Sequence, residues 1–270
     1  MSSAKKKKLI AIGDSFTDPN FWSPVEPDHV KDYPSWPEVL NNLLHNEYDV
    51  INTSHSGVGN DYIYAESMHH IADNIDNIGL VVLALSEPGR YTVGSARTKL
   101  HGDLVQNIMN NSKPEYADKL ETDKYTKYLD MVFNDSNTIE DISHFIDKIL
   151  SSILLFQTFC EKNKIPYIIV SMLDQTDLFM RDLWSRNTNR LTVWNVKSFS
   201  KELIKNPMFD LIDDEKVIGW PFVEILGGYP FIEKLEIGKE TVSERDHHPN
   251  KLGHEKIAKD IYNLYIKLYK

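Results

Sequence analysis

Gly13-Asp14-Ser15 sets a serine directly after Leu9 to Ile12, an apolar run with no polar residue in it. A short, β-rich run of this kind is expected to be a strand covered on both faces, and Ser15 then stands at its carboxyl end, where open parallel sheets hold their ligands. A serine hydroxyl is too weakly acidic to attack an ester at neutral pH unless a base takes its proton. The groups able to do so lie at the far end of the chain. Arg245-Asp246-His247-His248-Pro249-Asn250 gathers a carboxylate and two imidazoles just ahead of a final amphipathic stretch, with His254 close behind. Hydroxyl, imidazole and carboxylate are the three groups that nucleophilic acyl transfer requires.

Taken together, Gly13-Asp14-Ser15 and Asp246-x-His248-Pro249-Asn250 resemble the two terminal blocks of the SGNH, or GDSL, hydrolases. Either block alone occurs by chance. Their order, their separation by nearly the whole chain, the strand before the first and the helix after the second make the pair specific. The resemblance implies a flavodoxin-like three-layer α/β/α fold with a mainly parallel sheet, no cofactor, Ser15 as nucleophile, His248 as base and Asp246 as the carboxylate that orients the ring. The common family spacing puts the aspartate three residues before the histidine, which here is Arg245. Asp246 is two before. Pro249-Asn250 points to His248 rather than His247, which is expected to be an exposed loop residue.

The resemblance also implies an oxyanion site built from the Ser15 backbone N–H, from Gly57 in the family's second block, and from an asparagine in a Gly-x-Asn-Asp motif after the third strand. At that place the chain reads Ser86-Glu87-Pro88-Gly89-Arg90, without asparagine. Asn60, which shares a short turn with Gly57, is the expected replacement, with Ser86 and Arg90 as substitute donors; the bland alternatives are a helix cap for Asn60 and a salt bridge for Arg90. The implied activity is hydrolysis of a small acyl ester, an O-acetyl group on a carbohydrate being one candidate. A non-catalytic glycan-binding or structural protein on the same fold is the rival from another class. The insert-bearing form of the chain also resembles bacterial and bacteriophage members.

These residues need a frame to hold them. Residues 18–37 are too rich in proline and aromatics for a regular helix and read as a loop over the sheet's carboxyl edge. Ser35 with Glu38 predicts a capped helix over about 36–46, and Val50-Ile51 a short strand. Ile63, Met68, Ile71, Ile75 and Ile78 mark the next helix, and Leu80 to Leu85 the clearest buried strand. Apolar steps of three and four predict a helix over 138–162, followed by a strand from Pro166 to Ser171. Pro249 is expected to open the last helix. The chain reads as a single domain over 1–270, with insertions at about 94–138 and 174–244.

Bulk properties exclude other classes. A net charge of −10 disfavours nucleic acid, whose binding depends on concentrated positive charge. No apolar run is long enough to span a bilayer, and the lysines at 5–8 lead straight into the first strand, unlike a secretory signal, so a cytoplasmic protein is expected. The single cysteine, Cys160, lies on a helical apolar stripe and reads as core. Tyr62 stands where a dinucleotide fingerprint needs its third glycine, and no histidine or acidic cluster has a metal-site pattern, so neither nucleotide nor metal is expected. Oligomeric state is not legible.

Overall fold

The computed structural model describes residues 6–88, 92–93, 98–99, 139–175 and 196–270. Its apolar runs become strands β1 (Lys7–Ile12), β2 (Tyr48–Asn52), β3 (Ile78–Leu85), β4 (Tyr167–Ser171) and β5 (Val217–Ile218). Between and after them lie helices α1 (Trp36–Leu43), α2 (Asn60–Asn74), α3 (Ile139–Lys162), α4 (Val196–Lys205) and α5 (Lys251–Tyr269). The sheet order is β2-β1-β3-β4-β5, and every neighbouring pair is parallel.

Why the runs Leu9 to Ile12 and Leu80 to Leu85 carry no polar residue follows from the layering. Ile10, Ile12, Val81, Leu83 and Ile169 join the buried cluster that includes Ile63 and Ile71 of α2 and Ile146 and Ile153 of α3. The residues between them, Leu9, Ala11, Val82, Ala84 and Ile168, join Leu40 of α1 and Ile257 and Ile261 of α5 on the other side. Alternate side chains thus enter two separate cores, and neither face has room for a charge. This is the three-layer α/β/α arrangement expected. Because β1 lies between β2 and β3, the chain reverses its direction of winding there. The loops after β1 and β3 diverge and leave a crevice at the sheet's carboxyl edge.

Three local expectations are corrected. Ser35 occupies the N-cap position of α1 but makes no capping bond; its hydroxyl accepts from Lys31 Nζ (2.6 Å), and the first helical N–H, of Trp36, donates to His254 Nδ1 (3.2 Å). Pro249 does not open α5. Asn250 caps it, with Oδ1 accepting from Leu252 N and Gly253 N (2.9 and 3.2 Å). Within the expected insertion at 174–244, Val217–Ile218 joins the main sheet as its fifth strand. Two residues between a charged turn and Gly219 are too few to show a period. The insertion at 94–138 lies outside the described residues but for the antiparallel pairing of Thr92–Val93 with Thr98–Lys99 at its start. Cys160 is buried, and burial pushes its thiol up to about 12. Among the described residues no helix is long and apolar enough to cross a membrane.

Candidate active site

At the end of β1 the backbone turns through Gly13, where an added Cβ would sit 2.4 Å from Thr17 Oγ1 and 2.8 Å from Ala84 Cβ. Only glycine fits this close approach. Its N–H donates to Ser54 Oγ (2.9 Å), tying the turn to the loop after β2. Asp14 then shapes one helical turn: its carbonyl accepts from Thr17 N and Asp18 N (2.9 and 3.0 Å), its Oδ1 from Phe16 N (3.0 Å), and its Oδ2 from Ser86 Oγ at the end of β3 (3.0 Å). The aspartate of Gly13-Asp14-Ser15 is therefore a brace between two strand ends, and Ser15 is presented at the crevice they form.

From the other end, residues 241–249 fold into a tight loop closed by Val242 N to His248 O (2.8 Å) and Ser243 N to Asp246 O (3.1 Å). Asn250 Nδ2 ties it down by donating to Lys239 O and Thr241 O (2.8 and 2.7 Å). His248 Nε2 lies 2.8 Å from Ser15 Oγ, and His248 Nδ1 lies 2.5 Å from Asp246 Oδ1, which also accepts the His248 backbone N–H (3.0 Å). A carboxylate can only accept, so Nδ1 carries the imidazole proton and Nε2 is left to accept from the serine hydroxyl. Burial by itself would raise the Asp246 pKa. The Ser23 hydroxyl and the His248 backbone and ring outweigh it and hold the carboxyl below its usual range.

Several neighbours of this row were not singled out from the sequence. Phe21 stacks on the His248 ring (centroids 4.2 Å apart, 27° between planes), and Phe16 packs against it at 4.7 Å. Ser23 Oγ donates to Asp246 Oδ2. Asp18 Oδ2 accepts from Ser56 N and Ser56 Oγ (2.7 and 2.6 Å), linking the loop after β1 to the loop that carries Gly57. The aromatic density of 18–37 was the available signal. Which of its residues turn inward depends on how the loop folds over His248, and no period records that.

Gly57 is buried in the left-handed region, at φ 72°, which its lack of a Cβ permits. Among the described residues neither its N–H nor that of Ser15 has a hydrogen-bond acceptor. Asn60 Oδ1 accepts from Ser86 N (2.8 Å) and its Nδ2 donates to Ser86 O (2.9 Å), so one Nδ2 hydrogen remains for another partner. Ser86 spends its hydroxyl on Asp14, and its carbonyl also accepts from Gln175 Nε2 (2.9 Å). Arg90 lies outside the described residues. Arg245 is exposed and paired with Glu26 (2.8 Å); His247 is exposed, with Nε2 3.1 Å from Glu244 O. His254 is buried and serves α1 rather than the row. Among the described residues no group of three or more His, Cys, Asp or Glu could hold a metal ion.

Fold and site define a three-layer α/β protein with a Ser–His–Asp row at the switch point of a parallel sheet, in the blocks by which the sequence resembles the SGNH, or GDSL, hydrolases. No family model matches the chain, and no curated protein is significantly similar to it in sequence. Among solved structures it is similar to TesA (11% identity, TM-score 0.47, covering 97% of this chain and 99% of that one). It is also similar to a proposed lipolytic protein of the G-D-S-L family from Desulfitobacterium hafniense (14%, TM-score 0.43, 96% and 99%). A third is a catalytic mutant of an acetylxylan esterase from Geobacillus stearothermophilus (12%, TM-score 0.42, 98% and 96%).

Proposed function

We propose that the protein is a serine ester hydrolase acting on a small acyl ester, with an O-acetyl group on a carbohydrate as the substrate class to test first. The observation that carries this is the unbroken row Ser15 Oγ, His248 Nε2, His248 Nδ1, Asp246 Oδ1, closed at 2.8 and 2.5 Å. In attack, Ser15 Oγ bonds to the acyl carbon while its proton passes to His248 Nε2, and Asp246 stabilises the imidazolium. The tetrahedral oxyanion is held by the Ser15 and Gly57 N–H groups, which have no acceptor among the described residues to give up, and by the remaining Asn60 Nδ2 hydrogen. Collapse breaks the ester C–O bond, and the leaving alcohol takes the proton from His248. A water then attacks the acyl carbon, losing its proton to His248, and the acid departs with Ser15 restored.

Hydrolysis of p-nitrophenyl acetate tests the chemistry, and release of acetate from acetylated xylan tests the substrate class. Turnover by the wild-type protein with at least about a 1,000-fold loss in Ser15→Ala is the expected result. Equal rates in both would remove the assignment. One observation favours the non-catalytic, glycan-binding reading: Ser86 Oγ and one Asn60 N–H are already bonded inside the protein, which leaves the oxyanion fewer side-chain donors. Under that reading the wild-type protein binds xylan oligosaccharides and turns over neither ester.

A further inference from the structure

Ser23 is fully buried, at 0% exposure, on the loop that crosses the site. Its hydroxyl accepts from Glu26 N (2.8 Å) and donates to Asp246 Oδ2, the oxygen that the imidazole leaves unused. A serine hydroxyl has a single proton, and with one lone pair taken by Glu26 N–H that proton is directed at the carboxylate. Asp246 is consequently gripped from both sides, by the His248 ring and backbone on Oδ1 and by Ser23 on Oδ2. Its carboxyl plane cannot turn without breaking both contacts.

We infer that Ser23 is a positioning residue that extends the row to four side chains, Ser15–His248–Asp246–Ser23, fixing the carboxylate's plane and moderating the charge it presents to the imidazole. This rests on the hydrolytic reading of the row. The same segment supports the geometry on either side. Phe21 stacks on the His248 ring, and Glu26 accepts from Ser243 Oγ and Arg245 (both 2.8 Å), which fastens the loop to the 241–249 loop independently of Ser23. The charged and titratable groups around the carboxylate are His248 on its own loop, Glu26 with its partner Arg245, and Tyr33 from the loop before α1. His254 of α5 and Lys31 lie beyond the ring.

Removing the Ser23 donor makes the Asp246 carboxylate more basic, so that it holds the imidazolium more strongly and His248 surrenders its proton at higher pH. The test compares the full chain with Ser23→Ala, measuring p-nitrophenyl acetate hydrolysis across pH and, by NMR, the His248 Nδ1 proton. The expected result is a fall in kcat of about 10- to 100-fold with KM little changed, an acid limb displaced to higher pH, and a moved Nδ1 proton resonance. A lowered kcat with the acid limb and the resonance unmoved would overturn the inference and leave Ser23 as a loop anchor only. If Ser23→Ala does not fold, Ser23→Cys, of nearly the same volume and a weaker donor, is expected to give the same displacements at smaller size; an unmoved resonance there overturns it equally. Absence of wild-type turnover would instead remove the hydrolase assignment, and the resonance would still decide whether Ser23 governs the Asp246–His248 contact.

Discussion

Asn60 is the residue whose role is most exposed to test. Its amide grips the Ser86 main chain with both atoms, so an alanine would disturb the β3 end as well as any oxyanion contact. Asn60→Asp keeps the acceptor for Ser86 N and removes the donors. If the free Nδ2 hydrogen serves the oxyanion, kcat falls about 100- to 1,000-fold with little change in KM, whereas an unchanged kcat assigns Asn60 to Ser86 alone. His254 supports a different expectation. Burial first, then the charges of Lys31 and His248, push its pKa down to about 3, and as a neutral ring it accepts the Trp36 N–H. An unfolded histidine titrates near about 6.5, so between these values the unfolded chain binds a proton that the folded chain refuses. The contribution is whole above about 6.5 and is lost as pH falls toward 3, at up to about 1.4 kcal/mol per pH unit. Urea midpoints at pH 7 and pH 5 check this: the drop is expected to shrink in His254→Asn, and an equal drop in both would remove His254 as its source.

At the scale of elements, the site is held by two loops and one helix start. Asn250 caps α5 with its oxygen and pins the 241–249 loop with its nitrogen. Loss of a cap costs about 0.5–2 kcal/mol. Asn250→Ala is expected to exceed the middle of that range, because two loop carbonyls lose their donor as well, and to lower kcat along with the denaturation midpoint. A Asn250→Asp variant, which keeps the cap and loses the Nδ2 donors, should recover the helix and not the rate. Phe21 belongs to the loop over the row. Phe21→Ala removes the stacked wall of the imidazole, and kcat is expected to fall about 10- to 100-fold, as for a displaced catalytic group, without loss of α5 helicity by circular dichroism. A rate within twofold of wild type would show that the ring needs no wall.

For the molecule as a whole, Ser15, the proposed nucleophile, follows the first strand, and His248, the proposed base, lies just before the last helix. Leu9 and Ala11 of β1 share a core with Ile257 and Ile261 of α5, so the packing that holds the sheet's face also holds the His248 loop in register. Ile261 is fully buried. Ile261→Ala is expected to cost about 2–5 kcal/mol, and at roughly 2–4 °C per kcal/mol the melting temperature should fall well beyond experimental error. Ester hydrolysis and the far-ultraviolet dichroism should be lost at the same lowered temperature. Activity disappearing well before the helix signal would mean that the site loops open independently of the core.

Sequence by itself determined the parts whose physics is local or strongly periodic. Leu9 to Ile12 and Leu80 to Leu85 had to be strands with both faces covered, because no polar residue interrupts them. The terminal blocks marked Ser15, Asp246 and His248 as candidates because, taken together, they resemble the two terminal blocks of the SGNH, or GDSL, hydrolases. Tertiary structure decided what depends on where loops land. Asn250 rather than Pro249 starts α5, and at the start of α1 the Ser35 hydroxyl turns to Lys31 instead of capping while the Trp36 N–H finds His254, since each of these groups takes whichever partner the fold brings near. Val217–Ile218 became a strand only because β4 offered it an edge. Ser23, Phe21 and Asp14 acquired their contacts with Asp246, His248 and Ser86 through closures across 223, 227 and 72 residues of chain, distances over which no local pattern carries information.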